Sequence, residues 1–341
     1  MLAEKVKEVV EVLSKGLEEN SLEHENCIFS IEKFTQILDE EKNRIIAFLD
    51  GGNVEVLKAP NFSVHFIRLY FNLFFKNKRK KINSMPQRIE SFILINTIAR
   101  DKYKMQFFEL PYSNGERYTP NDEIFIKSNY DNRHREDISI IGSIGRRIAE
   151  FEFGRNVIKN ELSSGDIIVL DGDLTTDGIE EKYFRKIVEE AKRKNVYLTA
   201  LSKTSSLLTS KGSSLLEAVH SLSQKNFKNS QWFYPIMEDG EIKTFVCKLN
   251  GSSEYVFKFE LLKEQYKEEE LKEVFSLLSS NSKDLSLLGY PYGAIDAHKN
   301  AKITEAEVLR ALFKFYIMNT KNSGTFKRAM NSLNLKEKFL D

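Results

Sequence analysis

Two aspartate-glycine pairs follow apolar runs that are typical of buried strands. FLDGG occupies residues 48–52, with Asp50 as its acid, and VLDGD occupies residues 169–173, with Asp171 as its acid. In α/β sheets, functional groups gather at strand ends, because the strand holds the backbone while the loop exposes the side chain. A glycine after the acid permits a sharp turn and the close approach of a ligand. The two pairs predict that two carboxylates meet at one edge of a sheet.

Two carboxylates brought together raise each other's pKa unless a cation lies between them. Oxygen ligands favour a hard divalent ion, Mg²⁺ or Mn²⁺, and such ions activate water and neutralise the leaving oxygen in phosphodiester hydrolysis. The residues leave open whether one ion or two would bind. They also leave open two alternatives. Asp-Gly is a common turn dipeptide, and the run from Asp171 through Asp173 to Thr175 resembles the nucleophile motif of a haloacid-dehalogenase-type phosphatase.

Three further stretches carry side chains whose chemistry suits catalysis or phosphate binding. GYPYGAIDAHKNAKI, residues 289–303, places His298 on a short helix, and a histidine with a pKa of about 6.5 suits water activation or protonation of a leaving group. Lys203 follows the apolar run VYLTALS, where an ammonium can hold a phosphate or can simply begin a loop. The basic run KNKRKK, residues 76–81, is interpreted first as a solvated hairpin tip and second as a contact for the phosphate backbone.

Composition limits the class of protein. The 341 residues include 25 Phe, are 41% hydrophobic and carry a net charge of +1, so a sizeable core is expected and a protein-wide basic field for nucleic acid is absent. Cys27 and Cys247 form neither a metal-ligand spacing nor a disulfide framework, which fits a reducing cytoplasm. The mixed charges of the first residues are not those of a signal peptide. The most apolar run, residues 64–75, is too short to span a bilayer and contains Arg68. A soluble cytoplasmic protein is predicted.

Hydrophobic periodicity predicts the elements that must position these groups. Strands are expected at residues 44–50, ending at the Asp-Gly-Gly turn, and at 64–75, 91–99, 103–110, 166–171 and 196–203, with a mostly β segment over 231–262. Helices are expected at 2–19, 30–41, around Ile144 to Ile158, and at 179–193, 267–280 and 303–319, with a long surface loop at 111–140.

Five short motifs occur in an order that is typical of one nuclease family. They are FLDGG, the helix RRIAEFEFG, VLDGDL, LSKTS, and the Tyr-Pro-Tyr segment with its histidine, and together they run from residue 48 to residue 303. Each is weak alone, but the ordered set resembles the NurA family of DNA-repair nucleases. The resemblance implies an RNase H-like α/β fold, a mixed sheet flanked by helices with helical elaborations. It also implies a homodimer that docks on the hexameric helicase-translocase HerA in DNA end resection and double-strand break repair.

The activity implied by the resemblance is that of an Mn²⁺-dependent deoxyribonuclease, with Mg²⁺ as the other candidate ion. It comprises 5′-to-3′ exonuclease activity on single- and double-stranded DNA and endonuclease activity on single strands. Carried over by motif, Asp50 and Asp171 would be metal carboxylates and Glu150 the third acid. Glu152 stays open as the alternative third acid, because a helical-wheel count does not separate the two glutamates.

The later motifs imply further roles. Tyr290 and His298 match the late tyrosine and histidine of the family and are expected to be catalytic, with Tyr292 the less favoured tyrosine. Lys203 would bind substrate. The family usually has serine after Asp-Gly, where this chain has Gly52 and Asp173. Asp173 is expected either to join the metal shell or to face solvent.

We predict a single NurA-like nuclease domain over residues 1–341. It would comprise an N-terminal helical segment (1–42), an α/β core (43–262) and a C-terminal helical part with the Tyr/His motif (263–341). The alternatives are a phosphatase with Asp171 as nucleophile and an inactive scaffold that binds HerA or DNA. The presence of every expected acid argues against an inactive scaffold.

Overall fold

Helices and strands are described over most of the chain in a computed structural model, which covers residues 2–18, 23–24, 27–38, 43–82, 84–111, 115–127, 138–176, 178–210, 212–265 and 267–334. The helices within these ranges are α1 (Leu2–Glu18), α2 (Ile138–Glu161), α3 (Glu180–Lys194), α4 (Leu215–Ser223), α5 (Glu268–Ser280), α6 (Tyr292–Ala301), α7 (Ala306–Met318) and α8 (Ser323–Asn334). The strands are β1 (Glu23–His24), β2 (Cys27–Ile28), β3 (Thr35–Gln36), β4 (Ile45–Ala59), β5 (Phe62–Phe75), β6 (Lys78–Arg79), β7 (Arg88–Ala99), β8 (Lys102–Glu109), β9 (Ile124–Lys127), β10 (Ile167–Asp171), β11 (Tyr197–Ser202), β12 (Trp232–Asp239), β13 (Ile242–Lys248) and β14 (Phe257–Leu262).

One compact unit comprises Met1–Asn43, Gly172–Thr175 and Tyr197–Tyr292. Its strands pair antiparallel in the order β3-β12-β13-β14-β11. Apolar residues of α4 pack with Trp232 and Tyr234 of β12 in one buried cluster. Phe275 of α5 stacks on Phe233 with ring centroids 4.4 Å apart. Alternate residues of β12 therefore pack against different helices, as the two-residue period of a strand requires.

The second compact unit comprises Arg44–Asp171, Thr176–Val196 and Gly293–Asp341. Its strand order is β10-β4-β5-β7-β8-β9, with β6 paired to β5. β10 runs parallel to β4, and the other neighbours are antiparallel. The order β7-β5-β4-β10 thus places one parallel pair at the end of a run of antiparallel neighbours, which makes the sheet mixed.

Helices cover both faces of the sheet in the second unit. On one face Phe153 of α2 contacts Phe71 of β5, with ring centroids 5.6 Å apart. On the other face α6 lies against the sheet, where Asn72 donates to the carbonyl of Gly293 at 2.7 Å. This double cover explains why β5 is buried at every residue except Phe75. The predicted fold class, a mixed sheet flanked by helices, is confirmed.

The predicted end of the first core strand was wrong. β4 continues through Asp50, Gly51 and Gly52 to Ala59, and its pairing with β5 is regular at the glycines, Gly51 with Leu69 and Gly52 with Arg68. A glycine in extended backbone does not end a strand, and here both glycines sit where other parts of the chain approach closely. The second pair is a true strand end, because β10 stops at Asp171 and Gly172 adopts a left-handed φ of 118°.

Two other predictions needed correction. The helix predicted over 30–41 is absent from the described part of that range, where Ile31–Lys33 form a 3-10 turn and Thr35–Gln36 pair with β12. Residues 39–42 lie outside the described residues. The loop predicted over 111–140 contains β9, which pairs with β8. The remaining predicted strands and helices are present to within a few residues of their predicted bounds. The single domain over 1–341 stays a prediction.

The apolar stripe of α1 is exposed. Val6, Val9 and Val10 each keep more than half of their surface accessible, while the side chains of Leu13 and Leu17 lie outside the described residues. Within the described ranges, no helix combines the length and the apolar character that crossing a membrane requires.

Candidate metal centre and active site

Asp50 and Asp171 lie side by side on the two parallel strands of the second unit. The register pairs Leu49 of β4 with Leu170 of β10, so the aspartates that follow are neighbours. Their side chains are 9% and 19% exposed. The close approach of two carboxylates that the sequence predicted is therefore present, although only Asp171 ends a strand.

His298 completes the cluster from α6. Its Nδ1 is 2.8 Å from Oδ2 of Asp50 and 3.9 Å from Oδ2 of Asp171. One ligand atom from each of the three residues lies within 4.8 Å of the other two. Two carboxylates and an imidazole form a donor set that suits a divalent ion, and the nitrogen favours Mn²⁺ over Mg²⁺.

The electrostatics of Asp50 indicate a place for a cation. Burial raises the pKa of Asp50, and the charge of Asp171 raises it further. The hydrogen bond with His298 and the Gly51 N–H, which donates to Asp50 Oδ1 at 2.7 Å, act in the opposite direction. A bound cation would offset both the cost of burying the charge of Asp50 and the repulsion between the two carboxylates. The residues present therefore fit a divalent ion.

Glu150 of α2 approaches Asp50 from the other face of β4. It is 7% exposed and forms an ion pair with Arg146, one helical turn earlier. Arg146 also donates to the carbonyl of Gly51 at 3.3 Å. Burial raises the pKa of Glu150 to about 7, and the charge of Asp50 adds to this, whereas Arg146 lowers it. Sequence reasoning assigned no role to Arg146, although its i, i+4 spacing to Glu150 was a usable signal.

The structure separates the two candidate glutamates. The charge of Asp50 raises the pKa of Glu150, whereas Glu152 forms an ion pair with Arg155 on the same helix. Two residues along a helix turn a side chain by about 200°, so the two glutamates leave α2 in nearly opposite directions. The role of Glu150 as a metal ligand stays a prediction.

Comparison with known proteins identifies the family. The NurA domain matches residues 94–303, which is more than half of the chain. The chain belongs to the NurA family. The matched range of this NurA chain includes Glu150, Asp171 and His298 but begins after Asp50, which the structure brings to the same site. No curated protein matches the chain in sequence.

The chain is only distantly similar to solved structures. Argonaute from A. aeolicus gives a TM-score of 0.35 at 11% identity, covering 78% of this chain and 29% of the Argonaute chain. Endonuclease V from Ciona intestinalis, solved with inosine-containing DNA, gives 0.37 at 10% identity, covering 87% and 95%. The catalytic domain of human Endonuclease V gives 0.36 at 8% identity, covering 81% and 92%. The chain thus spans less than a third of the Argonaute, and likenesses at these scores carry no argument about function.

The other two predicted site residues of the NurA chain belong to the first unit. Tyr290 is 1% exposed and packs against Phe257 with ring centroids 5.0 Å apart. The Lys203 ammonium lies 5.0 Å from the centroid of the Tyr290 ring, a cation–π distance. Tyr292 is 40% exposed. The catalytic role of Tyr290 and the substrate-binding role of Lys203 stay predictions.

Asp173 keeps nearly half of its side chain exposed and is also held by other residues of the first unit. Its carboxylate is 2.7 Å from the Lys258 ammonium and accepts a hydrogen bond from Ser202. Lys258 is itself held by Glu260 at 2.9 Å, and Glu260 accepts from the Leu174 N–H at 2.6 Å. Asp173 is therefore the partly exposed end of an ion-pair network in the first unit, and the other two charged members, Lys258 and Glu260, are buried. This network was missed because its members come from distant strands.

Gly51 and Gly52 allow two close approaches to β4. A Cβ at Gly51 would lie 2.3 Å from Oε1 of Glu150, and a Cβ at Gly52 would lie 2.1 Å from the carbonyl oxygen of Ala301. Neighbouring strand residues point to opposite faces. The Gly-Gly pair thus admits the glutamate of α2 on one face and the end of α6, three residues after His298, on the other.

Replacing Gly52 with alanine is expected to displace the end of α6, because the clash is with backbone and not with a flexible side chain. We expect a loss of about 1–3 kcal/mol in the free energy of unfolding and a fall in nuclease activity as His298 moves. Chemical denaturation and an activity assay measure both. Gly324→Ala in α8, where the nearest atom to a Cβ is a flexible Arg328 tip at 3.6 Å, is the matched control and should be neutral or slightly stabilising. A Gly52→Ala protein with normal stability and activity would contradict the packing role.

Proposed function

We propose that this NurA-family chain is a divalent-metal-dependent DNA nuclease in which Asp50, Asp171 and His298 bind the ion, with Mn²⁺ preferred. The proposed activities are 5′-to-3′ exonuclease on single- and double-stranded DNA and endonuclease on single strands. The observation that carries the proposal is the convergence of one buried carboxylate, one partly buried carboxylate and one imidazole from β4, β10 and α6.

The chain's own groups supply proton handling and orientation. Nδ1 of His298 is next to Asp50, so a neutral imidazole that offers Nδ1 to the ion carries its proton on Nε2 and can donate that proton towards the leaving oxygen. The histidine side chain is 58% exposed, which leaves it accessible to water and to the leaving group. A bound divalent ion would polarise the scissile phosphate and lower the pKa of its water. Glu150, held by Arg146, would add negative charge that helps to retain the ion.

Family membership supports the biological setting. We propose that the chain acts as a homodimer in the cytoplasm, together with a HerA hexameric helicase-translocase, in DNA end resection and double-strand break repair. Lys203 would hold a substrate phosphate, and Tyr290 would act in catalysis or hold Lys203 in place through its ring.

The direct test is incubation of the purified protein with 5′-labelled linear single- and double-stranded DNA in Mn²⁺, Mg²⁺ or EDTA. We expect degradation in Mn²⁺, weaker degradation in Mg²⁺, and none in EDTA. The 5′ label distinguishes release of short end products from internal cleavage. Intact DNA under every condition, with and without HerA, would overturn the nuclease proposal and favour an inactive scaffold.

A further inference from the structure

The turn between β5 and β6 concentrates positive charge, and of its basic residues Arg79 is paired with an acid, Asp296. The basic hairpin, residues 76–81, contains Lys76, Lys78, Arg79, Lys80 and Lys81, and all are exposed. Among the described residues, the four lysines form no ion pair. Such a cluster attracts polyanions, because counterions released from a phosphate backbone add to the affinity.

The backbone of the basic hairpin has a defined turn conformation and is hydrogen-bonded to β5. Lys76 and Asn77 have φ values of 48° and 57°, as in the two-residue turns that match strand twist. The Lys80 N–H donates to the carbonyl of Leu73 at 2.8 Å. Glycine or asparagine would adopt the first of these positions with less strain than lysine. Lys76 therefore places a positive charge at the tip although its left-handed backbone conformation is strained. This indicates that the charge has a function.

Arg79 connects the basic hairpin to the helix that carries His298. Its guanidinium lies 3.3 Å from Oδ2 of Asp296 on α6 and also donates to the hydroxyl of Tyr70. Asp296 is fixed in turn by Asn72, which donates at 2.8 Å. Tyr70 is the direct cross-strand neighbour of Asp50. Within the second unit, β5 therefore connects the basic hairpin to the neighbour of Asp50, and the contacts of Arg79 connect it to the helix of His298.

The separation defines which phosphates the basic hairpin can reach. Lys76, directly after the end of β5, follows Tyr70 by six positions, a distance of about 20 Å at 3.3–3.4 Å per residue. One strand of B-form DNA has a phosphate about every 3.4 Å along the axis, so this distance corresponds to roughly six nucleotides.

We propose that the basic hairpin is a DNA-backbone subsite that holds a strand roughly six nucleotides from the scissile phosphate, without reading its sequence. Arg79 and its contacts to Asp296 and Tyr70 hold the hairpin at a constant distance from the site. This inference rests on the proposed nuclease function and adds to it a length requirement on the substrate.

The test compares two full-length variants with the same change in charge. One carries Lys76→Gln, Lys78→Gln, Lys80→Gln and Lys81→Gln. The control carries four substitutions at exposed lysines elsewhere in the second unit, Lys159→Gln, Lys186→Gln, Lys314→Gln and Lys327→Gln. DNA binding is measured by fluorescence anisotropy in EDTA across a salt series. Cleavage in Mn²⁺ is measured on labelled single strands of about five and about thirty nucleotides, lengths that fall short of and exceed the reach of the hairpin.

The hairpin variant should bind the long strand about 10- to 100-fold more weakly at about 0.1 M salt, with the slope of log K against log salt reduced by about 2–4. Its KM for the long strand should rise with kcat retained, and its cleavage of the short strand should match the parent. Binding and KM equal to those of the control variant would overturn the inference and return the hairpin to a solvated turn.

Failure of the proposed function has a separate readout. A parent protein that binds DNA but never cleaves it would refute the nuclease, while the binding series would still decide the hairpin. A parent that binds no DNA would refute both. Should the fourfold variant unfold, Lys78→Gln with Lys81→Gln leaves both left-handed residues unchanged, and half of the slope reduction is then expected.

Discussion

Replacing Asp50 with asparagine is expected to reduce DNA cleavage by about a thousandfold or more. Asp50 faces both Asp171 and His298, so in the proposed site its charge would help to hold the ion and to polarise the imidazole. A thousandfold loss corresponds to about 4 kcal/mol of transition-state stabilisation, within the several kcal/mol that a bound metal ion supplies to phosphoryl chemistry. Cleavage of labelled DNA in Mn²⁺ under single-turnover conditions measures the effect.

The same substitution should not destabilise the metal-free fold. The pKa of Asp50 is raised in the folded state. A carboxyl with a raised pKa costs no stability below its unfolded pKa, and the cost grows as the pH rises through the folded pKa. At neutral pH the asparagine removes that cost, and its carbonyl can still accept a hydrogen bond from His298. The melting temperature in EDTA should therefore be equal to or above that of the parent.

Metal linkage separates a metal ligand from a structural residue. Mn²⁺ should raise the melting temperature of the parent, because an ion that binds only the folded state stabilises it, and it should leave Asp50→Asn nearly unchanged. Asp122→Asn, at an exposed acid of the same unit, is the matched control and should keep both activity and the Mn²⁺ response. A large loss of stability in EDTA for Asp50→Asn would show that Asp50 is mainly structural.

Replacing Arg146 with methionine is expected to destabilise the protein in a pH-dependent manner. Arg146 is the ion-pair partner of the buried Glu150, whose pKa is already about 7. Without Arg146 that pKa rises further, because the charge that lowered it is gone. Below about pH 6 the folded forms of both proteins hold a protonated Glu150 and should differ little. Above about pH 8 the variant must bury an uncompensated carboxylate, at a cost approaching 3–5 kcal/mol.

Denaturant unfolding in EDTA at about pH 6 and at about pH 8.5 measures this difference, and a change of one unit in pKa corresponds to about 1.4 kcal/mol. The double variant Arg146→Met, Glu150→Gln lacks the titrating carboxyl. Its free energy of unfolding should therefore not show most of the extra decrease at high pH that is expected of the single variant. Equal destabilisation of the single variant at both pH values would show that Arg146 acts through packing and its bond to the Gly51 carbonyl, not through the charge of Glu150.

The candidate site was largely predictable from local signals. Asp50, Asp171 and His298 stand in short motifs whose residue types suit metal and proton chemistry, and strand periodicity placed both acids at buried strands. The structure brings these three together. The partners of those residues were not predictable in the same way. Asp173 was expected at the metal or in solvent; its side chain is nearly half exposed, but its partners Lys258 and Ser202 were not foreseen, because both are far from it in sequence.

The Asp-Gly-Gly stretch shows why local signals failed at one point. Glycine after aspartate is typical of turns, and the strand was predicted to end there. In the structure the absence of a side chain at the two glycines lets Glu150 approach one face of β4 and Ala301 the other. These contacts come from residues roughly a hundred or more positions away, so no window around residue 50 contains the information.

The sequence by itself determined the class of the sheet, the family, the acids and histidine of the site, and the basic run at residues 76–81. These follow from periodicity and from short motifs, which depend on neighbouring residues alone. Only the tertiary structure decided that Glu150 and not Glu152 approaches Asp50, that Arg146 neutralises it, and that Arg79 ties the basic hairpin to the helix of His298. Each of these depends on which face of one element packs against another, and that is set by the burial of the whole core and not by any one segment.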